Sequence, residues 1–517
     1  MRRGGGWLCW LPVLLGAFMG SCGQSAKTAP TEWGGPEDGD AQDGDAGDVT
    51  ADSGTAGASD SGLADTADHT ESMDPTYDLT LESLTTEVLW TGAQGAGRLN
   101  NFNGKNYHSM SVWRDGHTYV VFVDADLRAR VVQIADDGTE VSNTVLTDYE
   151  VLEDGHHSFA LGMDAEGYLH ISGDMHNYPG RNSDHMPAAY RDGKCMYWRS
   201  DAPYDIRAFT WLGAGPDGQM PYGDAFSYMA FTNDRDGDLF FHARTRTSYH
   251  PDMDNKQVFT LSRYDSTTEA WAALDVTPTS SRRSAVTLLG NDVEHGSGSY
   301  TRIHGWVSFD VSNRMHIAAN VIEGDAPFAN PPHYATHGLY LSADDQGGNT
   351  QMADGTPVEL PAMAVSEGPQ QADVVGFHPD HSLATFTSVA TDPEGHPHVL
   401  LKRQWRDSAG ERTSEQMLLQ EWNGESWVDH GDLDGILATG DNSRIVADDA
   451  GVMSVAIGHS LVRFFEPGGQ LTQTDVGMHL DNLDLSYVMA TGGLQALVDD
   501  GDELHLVRVH IERPAPE

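Results

Sequence analysis

The feature that most constrains this chain is a repeat. From Leu79 onward one unit recurs: an apolar strand, a turn of Asp, Asn and Gly, and a second strand often carrying His or an aromatic residue. Such turns supply the positive φ and the side-chain acceptors that a hairpin reversal needs. Copies run from Tyr107 to Asp124 around Arg114-Asp-Gly116, His156 to His176 around Asp164-Ala-Glu-Gly167, Phe226 to Arg244 around Asp234-Arg-Asp-Gly237, and Gly305 to Asn320 around Asp310-Val-Ser-Asn313. Three more follow: Leu383 to Arg403 turning at Asp392-Pro-Glu-Gly395, Ser443 to Gly458 at Asp448-Asp-Ala-Gly451, and Leu485 to Val498 at about Thr491-Gly-Gly493. A second, outer strand pair follows several of them, as in Val258 to Tyr264 with Trp271 and Met417 to Trp422 with Trp427. Four strands per unit and seven hairpins predict an all-β fold, a seven-bladed β-propeller over 79–517. A stacked β-helix would need a shorter and more regular repeat.

The N-terminal part reads differently. Arg2 and Arg3 precede the apolar run Trp7 to Met19, too short for a spanning helix, which ends in Met19-Gly-Ser-Cys22. This resembles a bacterial lipoprotein signal: 1–21 would be removed and Cys22 lipidated, with Gln24 leaning towards the outer membrane. From Gly23 to about Thr76 the residues are mostly Gly, Ala, Ser, Thr and Asp, with Lys27 the one Lys or Arg. Such a segment buries too little apolar surface to offset its ordering entropy, so 22–78 is expected to be a disordered acidic tether. The expected product is an exported lipoprotein at the outer membrane or cell surface, a monomer touching the membrane only through its lipid. With Cys9 removed and Cys22 acylated, Cys195 is the remaining thiol, which excludes a disulfide framework. The formal charge of -48 argues against nucleic acid as a partner. No cofactor is required. A structural Ca2+ or Zn2+ would suit a chain rich in His and carboxylates, but no ligand spacing of the zinc or EF-hand type names its residues.

Hairpin geometry assembles a candidate site. His156 enters the first strand of its hairpin and His176 leaves the second, so both lie opposite the turn, with His157 and His170 nearby. Tyr228 and Arg244 hold the corresponding places in the next unit, and repeated orientation puts all four on one face. His, Tyr and Arg suit elimination across a uronic acid. Arg pairs with the C5 carboxylate, a His or Tyr takes the C5 proton, and its partner protonates the leaving glycosidic oxygen. His157, Arg246, Arg302 and His304 are the expected substrate-binding residues, and Arg207 could add positive charge. His170 and His316, at equivalent places inside their hairpins, read as fold residues.

The run Asp154 to His176, Tyr197-Trp-Arg-Ser200, Ser227-Tyr228, His242-Ala-Arg244 and Tyr340 to Gly347 resemble the BNR-repeat propeller family that contains the ulvan lyases. The resemblance covers most of 95–360. It implies a seven-bladed propeller that cleaves a uronate-containing, sulfated glycan by β-elimination, an anionic polysaccharide being the partner. His156 and His176 fall on the family's two active-site histidines, Tyr228 on its catalytic tyrosine and Arg244 on its carboxylate-neutralising arginine. Two departures stand out: His157 occupies a place where Asn is common, and His242-Ala-Arg-Thr-Arg-Thr-Ser replaces the usual Tyr-Arg-x-Gly-x-Ser-Gly. Ser342 to Thr350 looks like a degenerate sialidase-type Asp-box turn without its Trp. One rival function is a non-catalytic glycan- or protein-binding propeller, which needs no convergence of His, Tyr and Arg. Another is a sialidase-like glycoside hydrolase, for which Asp124, Asp174 and Asp224 are on offer but unpaired by spacing.

Overall fold

In the computed structural model the described residues are 83–93, 109–152, 157–175, 184–191, 193, 195–215, 219, 221, 227–246, 257–273, 286–291, 302–322, 338–344, 347–358, 360, 362–364, 372–375, 382–392, 394–406, 412–432, 444–447, 453–457, 461–466, 470–475, 480–499 and 503–512. They all belong to the unit Pro75–Glu517. The leader, Cys22 and the proposed tether lie outside them. Among the described residues no helix is long and apolar enough to cross a membrane.

The turns explain the repeat. In Asp164-Ala-Glu-Gly167 the Asp164 carboxylate accepts the Tyr168 N–H at 2.9 Å, and Gly167 closes the reversal at φ 90. Asp234 accepts from Asp236 and Asp238, Asp310 from Ser312 and Arg314, and Asp392 from His396. Asn313, at φ 63, takes the place that Gly167 and Gly237 hold elsewhere. A carboxylate that satisfies the turn's own N–H groups and a residue tolerant of positive φ are thus what each copy needs.

These hairpins grow outward into seven sheets among the described residues, antiparallel except for one pairing in the third. The first holds Ser111–Arg114, His117–Val123, Ala129–Ala135 and Glu140–Val145, and the second Phe159–Met163, Leu169–Gly173, Tyr197–Ala202 and Asp205–Trp211. The third runs Ser227–Asn233, Leu239–Arg246, Gln257–Asp265, Ala270–Ala273. Unlike the expected four-stranded unit it is extended: Val286–Asn291 also pairs with Gln257–Asp265, and Ala362–Ala364 lies parallel to Val286–Asn291. The fourth contains Arg302–Phe309, Met315–Ile322, Gly338–Ala343 and Asp373–Val375; the fifth Ser382–Thr391, Pro397–Arg406, Arg412–Trp422 and Trp427–Asp432; the sixth Arg444–Ala447, Met453–Ile457, Leu461–Glu466 and Gln470–Asp475. A closing sheet joins the two ends of this unit, with Ser83–Ala93 paired to Glu503–Glu512 beyond Leu494–Asp499 and Asn482–Leu483.

Consecutive sheets pack side by side through their first strands, and the cycle closes through a short helix, Leu485–Thr491, that touches both Ser111–Arg114 and Arg444–Ala447. Inner strands therefore have neighbours on both faces and read as unbroken apolar runs: every residue of Phe159–Met163 and Leu169–Gly173 is buried. The outermost strand Glu140–Val145 has no buried residue. Burial of a Val, Leu or Phe side chain contributes about 1.5–3 kcal/mol, so the apolar clusters between successive sheets dominate stability. The helix corrects one expectation. Leu485 to Thr491 was to be the first strand of the seventh hairpin; instead Asp484 caps it by accepting the Tyr487 N–H, and Gly492 ends it at φ 68.

The expected outer pairs are present, with Tyr264 opposite Trp271 and Trp422 opposite Trp427. His170 and His316 are internal, as expected of fold residues. Each places Nδ1 against a tyrosine hydroxyl (Tyr197 at 2.6 Å, Tyr340 at 2.7 Å) and Nε2 against its own turn carboxylate (Asp164 at 3.2 Å, Asp310 at 3.1 Å). Trp271 Nε1 donates to the Tyr197 oxygen, so that hydroxyl is free to donate to His170.

Candidate active site

The second and third sheets share a level that fixes which residues meet. Ser109 bridges them: its hydroxyl donates to Leu161 O at 2.9 Å and accepts the Phe231 N–H at 2.8 Å. Asn233 Nδ2 donates to Met163 O at 2.8 Å. Position 161 is thus level with 231, and 163 with 233. Running back along both strands, away from the turns, leads to His157 just before Phe159–Met163 on the second sheet and to Ser227 at the start of its strand on the third. A contact of 3.3 Å from the Ser172 hydroxyl to the Met229 sulfur ties the sheets together there.

On the third sheet Ser227 is opposite Arg244, and the register slips between Ser227 and Ala230. Tyr228 sits in that slip at φ 53, a conformation rare for an aromatic residue and costing about 1–3 kcal/mol. Its ring lies under the Arg244 guanidinium, 4.2 Å from Cζ to the ring centroid, while Arg244 Nε donates to the Ser227 hydroxyl at 2.8 Å. Arg244 is a buried cation, only 4% exposed. The Ser227 hydrogen bond and the Tyr228 ring both help to hold the guanidinium plane in a set orientation. That is what bidentate pairing with a carboxylate demands.

On the second sheet Asp174, at φ 52, follows the strand Leu169–Gly173. Three groups converge on its buried carboxylate: His157 Nδ1, His185 Nε2 at 2.9 Å, and the Tyr149 hydroxyl, which donates at 3.0 Å. Burial acts to raise the Asp174 pKa, but the hydrogen bonds from His157 and His185 outweigh it and hold the carboxyl below its usual value. As a hydrolase carboxylate Asp174 is thus committed to its neighbours, and Asp124 is likewise held by Arg130 and by the Asp126 and Arg128 N–H groups.

Tyr228 and Arg244 are therefore brought together. His156, His176 and Asp224 lie outside the described residues. Arg246, Arg302 and His304 are on strands, opposite Gln257, Ile322 and Asn320, and their side chains lie outside the description. His157, expected to meet substrate, is wholly buried and turned to Asp174. Arg207 is an exposed residue of the outer strand, paired with Asp205. Sequence reasoning missed Tyr149 and His185, which no motif marks, and gave no role to Ser227, which it met only as the neighbour of Tyr228. A hollow lined by Thr232, Trp306, Phe309, Thr391 and Met489 opens at the turn ends of the inner strands, away from Tyr228 and Arg244.

The sequence matches the BNR repeat-containing family over residues 117–431. No curated protein sequence matches the chain. Among solved structures it is similar to a polysaccharide lyase described as PL25 ulvan lyase bound to -[GlcA(1-4)Rha3S]-, with TM-score 0.57, 13% identity, 81% of this chain and 94% of that chain covered. It is also similar to polysaccharide lyase Uly1, with TM-score 0.58, 12% identity, 84% of this chain and all of the other covered (100%). At such identities the likeness is one of fold.

Proposed function

The chain belongs to the BNR repeat-containing family, and from that premise we propose that it is a polysaccharide lyase, a seven-bladed propeller that cleaves a uronate-containing glycan of the sulfated, ulvan-like class by β-elimination. The observation that carries this reading is the Tyr228–Arg244 pair, a fixed guanidinium on a strained tyrosine at the strand ends of the third sheet. Two similar folds belong to polysaccharide lyases, one of them bound to a sulfated uronate-containing fragment.

In the proposed reaction Arg244 pairs with the uronate carboxylate and stabilises the charge that develops there as C5 loses its proton. Tyr228 or a histidine of the pair His156 and His176 takes that proton. The C5–H electron pair becomes the C4=C5 bond, the C4–O bond breaks, and the partner acid protonates the leaving oxygen. The product is an unsaturated uronate at the new non-reducing end and a free hydroxyl on the other fragment. We place the enzyme outside the cell, held through 22–78 by a lipid on Cys22; Cys22→Ser should release it from membranes, since the lipid is its one attachment in this reading. The function is tested by incubating the protein with a panel of uronate glycans and following ultraviolet absorbance of the conjugated product. No absorbance rise with any uronate glycan would contradict it.

A further inference from the structure

We propose that His157, Asp174 and His185 form a binding site for a divalent transition-metal ion of the zinc type. Each offers one ligand atom, and the three atoms lie within 4.8 Å of one another. Around a tetrahedral zinc ion with ligands at about 2.1 Å, donor atoms stand about 3.4 Å apart, so shifts of an ångström or less would close the trio on an ion. Two imidazole nitrogens and one carboxylate oxygen suit zinc, whereas calcium and magnesium prefer all-oxygen cages.

The three ligands come from separate parts of the second sheet. His157 stands before the strand Phe159–Met163, Asp174 after Leu169–Gly173, and His185 in the connection leading to the short helix Ala188–Arg191. Side chains of His157 and Asp174 are inaccessible, while that of His185 is 16% exposed. An ion there would be enclosed from the protein side and reachable from one direction, leaving a fourth position for water. Tyr149, donating to Asp174 Oδ2 at 3.0 Å, would orient the carboxylate from outside the ligand set, as hydrogen-bond partners of metal ligands commonly do. Because His157 adjoins His156 and Asp174 precedes His176 by two residues, the ion would tie down both chain segments that carry the proposed active-site histidines.

The test reads metal, not turnover, and stays informative if the lyase reading fails. Full-length protein purified without chelator should carry about one zinc ion per chain by elemental analysis. After chelator treatment it should take up Co2+ with the visible absorption of a four-coordinate site. His157→Asn and His185→Asn should each abolish that absorption. The second is the milder change, at the more accessible ligand, and circular dichroism reports whether each variant is folded. His398→Gln, which alters the trio Asp392, His398 and Glu421, serves as the control and should leave binding intact. Two results would overturn the proposal: no zinc or Co2+ bound by the folded wild-type protein, leaving a hydrogen-bonded His-Asp-His cluster, or binding retained in folded His185→Asn but lost in His398→Gln.

Discussion

Tyr228 holds a left-handed backbone conformation, and the structure around it shows what that conformation achieves: a ring turned out of the strand's regular row and placed beneath Arg244. If Arg244 neutralises a uronate carboxylate, Arg244→Ala should lower kcat/KM by orders of magnitude with the fold retained. Arg244→Lys should recover little, because an ammonium lacks the planar fork and stacks poorly on Tyr228. Tyr228→Phe keeps the ring but not the hydroxyl, and a loss of about 10²-fold or more is expected if that oxygen moves a proton. His170 belongs to a different class. Removing it as His170→Ala leaves the Tyr197 hydroxyl and the Asp164 carboxylate without their buried partner, which should destabilise the protein by about 3 kcal/mol in denaturant unfolding. Its burial lowers its pKa below 6.5, and the same holds for His316. The unfolded chain therefore binds these protons more readily than the folded one. Their contribution is full above pH 6.5 and is lost as pH falls through the lower folded-state values, so wild-type unfolding midpoints should drop on acidification below about pH 6.5. His170→Ala should flatten that dependence.

At the scale of elements, the hairpins were readable because each depends on local chemistry: an acceptor carboxylate, a residue tolerant of positive φ, and apolar runs on either side. Asp164 to Gly167 and Asp234 to Gly237 say this in four residues. The last hairpin was not readable for the same reason. Leu485-Ser-Tyr-Val-Met-Ala-Thr491 is apolar enough for a strand, and what makes it a helix is a cap and a tertiary contact: Asp484 accepts from Tyr487 N, Ser486 and Gln495, and Ser486 accepts from the Trp113 N–H of the first sheet. Asp484→Ala should lower stability by about 3 kcal/mol, since the cap is lost and the buried Gln495 amide loses a partner; thermal unfolding checks it. The extra strands of the third sheet pair residues far apart in sequence, Leu289 with Ala362, which no local pattern announces. The candidate site divides in the same way. Tyr228 and Arg244 follow from hairpin geometry, whereas the grouping of Tyr149, His157, Asp174 and His185 depends on a loop whose path sequence periodicity does not set.

At the scale of the molecule, two features stand out. Closure relies on Ser83–Ala93 pairing with Glu503–Glu512, and an open cycle would expose strand edges. Deleting residues 503–517 should therefore abolish cooperative unfolding and promote aggregation, rather than merely lower the melting temperature. The second is charge. Under the proposed activity, a chain at -48 meeting a polyanion faces long-range repulsion that the local arginine must overcome. Screening shortens that repulsion, the Debye length falling from about 30 Å at 0.01 M salt to about 8 Å at 0.15 M. Encounter with substrate should accordingly quicken, and kcat/KM rise, over that range. The central claim, elimination assisted by Arg244, is tested most directly by comparing wild-type and Arg244→Ala proteins on one uronate glycan, reading the ultraviolet absorbance of the unsaturated product. The predicted result is steady production by wild type and loss by orders of magnitude in a variant with wild-type circular dichroism. Equal rates for the two proteins, or glycan binding by wild type with no unsaturated product, would contradict it and leave a binding propeller in its place.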